Sequence, residues 1–161
     1  MLVPVSELPA DSRVWIYQST RPFTEVEAQT IQTQLLRFVD QWTSHSRELR
    51  GSALVLHQRF VVLIVDEKSA GASGCSIDAS VRFMKHLEEQ YGVDLFDRLH
   101  FSYRTADGRA QTLNREAFAG AYADGTLTDA TPVFDTLVKT KGELETRFLK
   151  PLGESWHARM V

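Results

Sequence analysis

A chain of 161 residues with 43% hydrophobic and 24% charged side chains has the size and composition of one globular domain, short for two independent cores and too apolar for disorder. Its 18 basic and 21 acidic residues give a formal charge of -3; they are interleaved, and without a stripe of Lys and Arg nucleic acid is not an expected partner. The longest apolar run, from Phe60 to Val65, is far below the roughly 20 residues of a membrane helix, and the single cysteine, Cys75, excludes an internal disulfide.

Residues 1–11 carry Pro4, Glu7, Pro9 and Asp11 where a signal peptide needs a basic start and an unbroken apolar stretch, so a soluble chain in a reducing cytoplasm is expected. Arg13–Gln18 is rich in β-branched and aromatic residues and alternates faces, Val14 and Ile16 on one side, Trp15 and Tyr17 on the other; it predicts a first strand. Thr24 and Glu27 form a capping box, each side chain placed to bond the other's backbone N–H, and Ile31, Leu35, Phe38, Val39 and Trp42 follow at helical spacing. A long amphipathic helix is expected from there to about Thr43.

Residues 52–57 and 60–66 read as a hairpin, with Gln58 and Arg59 as turn residues although neither favours positive φ. The second of these strands is apolar on both faces, so it should be central and covered on both sides. Ile77, Val81, Met84, Leu87 and Tyr91 predict a second helix stopped by Gly92. Residues 99–105 and 110–113 flank Asp107-Gly108, which accepts a primed turn, and Asn114 caps a short helix that Asp124-Gly125 ends. Beyond Thr126 the pattern weakens, with a strand over 133–138 and an undefined element over 143–148. The order to residue 105 is β-α-β-β-α-β, which predicts a single α+β domain on a ferredoxin-like sheet, the final third lying across its open face.

Three stretches, Ser12 to Gln18 (SRVWIYQ), Gly71 to Asp78 (GASGCSID) and Ser155-Trp156-His157, resemble an uncharacterised family of small bacterial proteins often labelled "ABC transporter ATPase". The resemblance spans nearly the whole chain and implies kinship without an assigned activity or binding residue. The residues reject the ATPase label. In a phosphate-cradling G-x-x-x-x-G-K-[ST] loop started at Gly71, the second glycine, the lysine and the hydroxyl would be Ser76, Ile77 and Asp78; the cation is missing and a carboxylate stands where phosphate and magnesium should bind.

The segment from Asp66 to Asp78 leaves a buried strand for a helix, and two readings of it stand side by side. Gly71, Ser73, Gly74, Cys75 and Ser76 can hold an anion at the helix N-terminus, with the Cys75 thiol activated there. Against this, Asp78 falls in the expected first turn and already answers the dipole, and a lone cysteine is commonly a small buried hydrophobe. A nucleophilic Cys75 needs a base. His157 and His45 are the better choices among the five histidines, with Asp66 and Asp78 as carboxylate candidates, but a histidine at a helix C-terminus is the blander account of His45. His86 reads as solvated, His57 and His100 as packed. With one cysteine and no H-x-x-x-H or H-x-H pair, no metal or cofactor is expected. Trp15 and Tyr17 share a face as base-stacking aromatics would, yet burial under a helix or the C-terminal segment suits the charge balance better. The reading favoured overall is a non-enzymatic binding or interaction module with a small anionic ligand or a protein as partner; the alternative is an enzyme or anion-binding protein using residues 71–78. Trp156 should dock on the body, because an exposed indole forgoes roughly 1.5–3 kcal/mol of burial; docking on the sheet that holds Trp15 would bring the ends of the chain together and fix the place of His157.

Overall fold

The computed structural model describes residues 1–68 and 70–161; Ser69, inside the segment from Asp66 to Asp78, lies outside the described residues. In chain order the elements are β1 (Arg13–Gln18), α1 (Glu25–Gln41), the short pair β2 (Thr43–Ser44) and β3 (Arg47–Glu48), β4 (Arg50–Leu56), β5 (Phe60–Asp66), α2 (Gly74–Tyr91), β6 (His100–Arg104), β7 (Ala110–Asn114), α3 (Arg115–Ala123), β8 (Pro132–Phe134), α4 (Lys141–Arg147) and β9 (Leu149–Pro151). The chain is a mixed α+β protein with antiparallel sheets. Among the described residues no helix is long and apolar enough to cross a membrane.

Local signals hold where they are strongest. The capping box is complete: the Glu27 amide donates to Thr24 Oγ1 at 3.1 Å and the Thr24 amide to Glu27 Oε1 at 2.9 Å. Gly92 ends α2 in the left-handed region at φ 62, and Asn114 caps α3 by accepting from the Ala117 amide at 2.8 Å. The weakly patterned tail resolves into β8, α4 and β9, the strand shorter than expected and the undefined element a helix.

The first sheet has the order β1-β5-β4. β5 is its centre, antiparallel to both neighbours, with Leu63 opposite Trp15 on one side and Ala53 on the other. Every residue of β5 is buried, and alternation divides them between two cores. Val61, Leu63 and Val65 face α1 and α2 with Ile31, Leu35, Val39 and Met84. Phe60, Val62 and Ile64 face Val3, Leu8, Phe134, Val138 and Phe148 from the two ends of the chain. The C-terminal third therefore covers the second face, as an all-apolar strand requires.

The expected fourth strand of that sheet goes elsewhere. β6 belongs to a second, four-stranded sheet of order β7-β6-β8-β9. The edge of β1 where a ferredoxin-like fourth strand would pair is occupied instead by the returning chain: the Val14 amide donates to Lys139 O at 2.9 Å and Arg13 bridges Thr140. A strand's alternation is the same whichever sheet receives it, so the order of elements could not reveal this diversion. Behind the second sheet lies a third cluster of Phe101, Phe118, Leu127, Val133 and Leu152, with Trp156 and Met160 packed on it. Trp156 is thus docked, but against Phe101 at 5.6 Å and not by Trp15, which packs edge-on to Trp42 at 6.0 Å. Trp15 and Tyr17 pack against the helix-side core, where the blander reading of that aromatic pair puts them.

One glycine is fixed by contact. A Cβ at Gly51 would stand 2.7 Å from the backbone oxygen of Ile64 and 3.3 Å from Val39 Cγ1. The oxygen belongs to the β5 ladder and cannot retreat alone, so Gly51→Ala is expected to destabilise the protein by about 1–3 kcal/mol, read as a lower urea midpoint at unchanged slope; an unchanged midpoint would show that the sheet yields freely there.

Candidate functional site

The structure separates the residues singled out in the sequence. α2 begins at Gly74, earlier than its apolar stripe suggests, because Ser73 caps it: Ser73 Oγ accepts from the Ser76 amide at 3.2 Å, and the Ser73 amide donates to Ser76 Oγ at 2.6 Å. Ser76 is buried in this role. Asp78 consequently lies beyond the first turn, which holds no acidic residue, so it does not answer the dipole as expected. The loop has its own carboxylate instead, Glu67 Oε2 accepting from the Ala72 amide at 3.1 Å close to Gly71. Asp66 is buried at the end of β5, where its Oδ1 accepts from the Lys68 amide at 3.1 Å and Oδ2 lies 3.9 Å from Arg50 Nε.

Cys75 is exposed and lines a cavity of about 510 Å³ with Phe38, Trp42, His45 and Ser46. Cysteine and histidine thus share a cleft, but among the described residues no hydrogen bond joins them. His45 does not end α1, which is capped by Trp42; it sits in the β2–β3 turn at φ 50. His86 is exposed, as expected. His157 does not line this cleft; it packs on Phe101 and Phe118 of the third cluster and stacks on Trp156 at 3.8 Å. Ser155 Oγ lies 2.6 Å from its Nδ1, while the nearby carboxylate, Asp135, bonds Lys150 and the Trp156 indole and not the imidazole. The group is a serine-capped turn inside a core. Among the described residues no three His, Cys, Asp or Glu side chains gather as metal ligands would.

The strongest chemical anomaly lies elsewhere, at Arg59. The β4–β5 turn is made by His57 and Gln58, both in the left-handed region at φ 54 and 53, with the Arg59 amide closing on Leu56 O at 3.0 Å. It is one residue earlier than the turn expected at Gln58 and Arg59. The positions are those of a primed turn, normally given to Asn or Gly; each non-glycine residue there costs about 1–2 kcal/mol, the kind of strain that collects at functional sites. The segment after β1 is laced to this turn, Ser19 N to Arg59 O at 2.9 Å and Phe23 N to Gln58 O at 2.6 Å.

Between that segment, the turn and the β6–β7 hairpin opens a cavity of about 1180 Å³, lined by Thr20, Arg21, His57, Arg59, Arg109 and Thr112 among others. Arg59 is only 5% exposed. Among the described residues its guanidinium makes one hydrogen bond, Nη1 to Ser19 O at 3.0 Å, and Nε is buried with no partner. Burial lowers its pKa and no carboxylate opposes that shift. A cation that burial disfavours and no carboxylate balances is a free-energy cost carried at this position, the kind of local conflict that marks a functional site. The other two arginines differ: Arg21 is held bidentately by Glu27 at 2.9 Å from both Nη atoms, and exposed Arg109 lies 3.7 Å from Asp107. At the rim, His57 packs on Phe134 at 4.8 Å, and partial burial, then the nearby Arg104 charge, hold its pKa below the ordinary value.

In the sequence Arg59 reads only as a turn residue. The available signal was a cation joined directly to the all-apolar run from Phe60, preceded by a tight turn lacking Gly or Asn. The chain matches no protein-family model, no curated protein and no solved structure.

Proposed function

We propose that this protein is a non-enzymatic binding module whose ligand presents an anionic group to Arg59 in the cleft between residues 19–24, the 57–59 turn and the 105–112 hairpin. The observation that carries the reading is the buried guanidinium with an unpartnered Nε on the wall of a roomy cavity. A ligand carboxylate or similar oxyanion there supplies the missing counter-charge in a medium where a charge-assisted bond is worth more than in water. No nucleophile and base are hydrogen-bonded to each other in the cleft among the described residues, which favours binding over catalysis. This moves the anion site from residues 71–78, where Glu67 and the Ser73–Ser76 box already engage the Ala72, Ser73 and Ser76 amides, to a guanidinium that no carboxylate pairs among the described residues. We further read β1, α1, β4, β5 and α2 as a ferredoxin-like half whose last strand has been diverted. The kinship with the small bacterial family and a cytoplasmic location are part of the same proposal.

The experiment is a thermal melt in sodium acetate, phosphate or chloride at matched ionic strength, for the wild type and Arg59→Met. An anion that binds should raise the wild-type melting temperature by several degrees, since ligand at about 100 times Kd adds about 2.7 kcal/mol and each kcal/mol moves a chain of this size by about 2–4 °C. Arg59→Met keeps the apolar stem and removes the unpaired charge, so it should melt higher than wild type in chloride, by about 1 kcal/mol, and lose the anion response. Equal responses in both proteins, or a mutant that melts lower, would show Arg59 to be structural.

A further inference from the structure

We infer that the Arg59 cleft takes the C-terminal end of an extended peptide, its carboxylate on the guanidinium and its backbone paired with the open edge of β7. The inference rests on the anion reading above and deepens it by naming the ligand. Three observations carry it.

The first is the shape of the free donor set. Nη1 of Arg59 is committed to Ser19 O, which leaves the Nε–Nη2 edge, two parallel N–H donors that match the two oxygens of one carboxylate. Nε is sealed from solvent, so a small side-chain movement accompanies seating. The second is the charge count. Arg21 is matched by Glu27 and Arg109 by Asp107, so Arg59 is the cleft's one uncompensated cation among the described residues. A single negative charge balances it, which fits a carboxylate better than a doubly charged phosphate ester.

The third is the wall beside it. Thr105 N donates to Arg109 O and Arg115 N to Leu99 O, each at 2.9 Å. Bonded pairs alternate along an antiparallel ladder, so in this register Tyr103–Gln111 and Phe101–Leu113 are the bonded pairs. Ala110 and Thr112 therefore turn their N–H and C=O groups outward, and both residues line the cleft. β7 is the terminal strand of its sheet, and a bare edge recruits another strand unless it is blunted. The first sheet blunts its own edges. Around Gly51, β4 is paired by Met1 and Val3, and further along the Gln32 side chain bonds Ala53 O and the Val55 amide, each at 2.9 Å; β1 is covered by Lys139. At the cleft β7 has no such cover among the described residues. A bare edge beside an unpaired cation is the donor arrangement that captures a peptide terminus by strand addition, and about 1180 Å³ exceeds the roughly 300–1,000 Å³ of compact-ligand pockets.

The test passes an equimolar pool of random tetrapeptides, half free acids and half C-terminal amides, over the immobilised full-length protein and reads enrichment by mass spectrometry. Free acids should be retained about tenfold over the matching amides, a ratio that falls to about one on Arg59→Met. An enriched acid should slow hydrogen exchange at the Thr112 amide, which acetate does not, and N-methylation of its backbone should weaken it by about tenfold. Equal retention of acids and amides, unchanged Thr112 exchange, or full binding by the N-methylated peptide overturns the inference. If the acetate melt still responds through Arg59 in that case, the anion reading stands and the ligand is a small carboxylate. If acetate and phosphate both leave the wild-type melt unmoved, the anion reading itself has failed.

Discussion

Asp135→Ala is expected to destabilise the protein by about 3–5 kcal/mol, the cost of breaking a buried ion pair from one side. Asp135 follows β8 and ties three parts of the tail together. Its Oδ2 accepts from Lys150 Nζ at 2.6 Å, and its Oδ1 from Trp156 Nε1 at 2.8 Å and the Leu137 amide at 2.9 Å. The two charged side chains are 10% and 14% exposed. Burial would raise the carboxyl's pKa, but the bonds from Lys150, Trp156 and Leu137 together keep it below the ordinary value. Alanine would leave an ammonium and an indole N–H without partners, whereas Asp135→Ala combined with Lys150→Met removes both charges and should recover part of the loss. Urea unfolding of the two variants measures this. A loss under about 1 kcal/mol in the single variant, or a double variant no better than the single, would mean that solvent replaces the pair at little cost.

Asp135 also shows where the sequence stops being informative. The capping box at Thr24, the stop at Gly92 and the cap at Asn114 act within a few residues, so their chemistry is written where it is used. The need for cover on both faces of β5 was legible because six consecutive apolar residues leave no polar face. Which segment provides it was legible only by elimination. Pairings that depend on distant residues left no such trace. Val14 meets Lys139, β6 joins β8 and not β1, and the Arg59 cleft assembles from three separated stretches. The site expected at residues 71–78 was a composition signal, small residues before a helix, and it gave no account of how Ser73, Ser76 and Glu67 would use the loop's donors internally. Arg59 stood out only once its surroundings showed that nothing balances its charge.

Acidification from pH 7 toward pH 5 is expected to weaken the fold by about 2 kcal/mol through His157 alone. The residue is 1% exposed, enclosed by Trp156, Phe101 and Phe118 at 3.8, 5.7 and 5.9 Å. Burial among these rings lowers its pKa to about 4; Asp135 opposes the shift and Lys150 adds to it. In the unfolded chain the imidazole protonates near its ordinary value of about 6.5. Between those two values the unfolded state binds a proton that the native state refuses, so stability is whole above pH 6.5 and is lost as pH falls to about 4, for a total of about 3 kcal/mol over the full window. The upper part of the window isolates the effect, because the depressed carboxylates Glu27, Asp97, Asp107, Asp124 and Asp135 remain ionised in the native state and release their contribution lower down. His57, also depressed but at the rim of the cleft, adds a loss of the same sign in this window. Urea unfolding at pH 7 and pH 5 should therefore show a marked fall for the wild type and a shallow one for His157→Gln, with His57 contributing to what remains. Equal slopes in the two proteins, or a native-state imidazole that titrates near 6.5 by nuclear magnetic resonance, would place His157 in contact with water and undo the account of how the tail is docked.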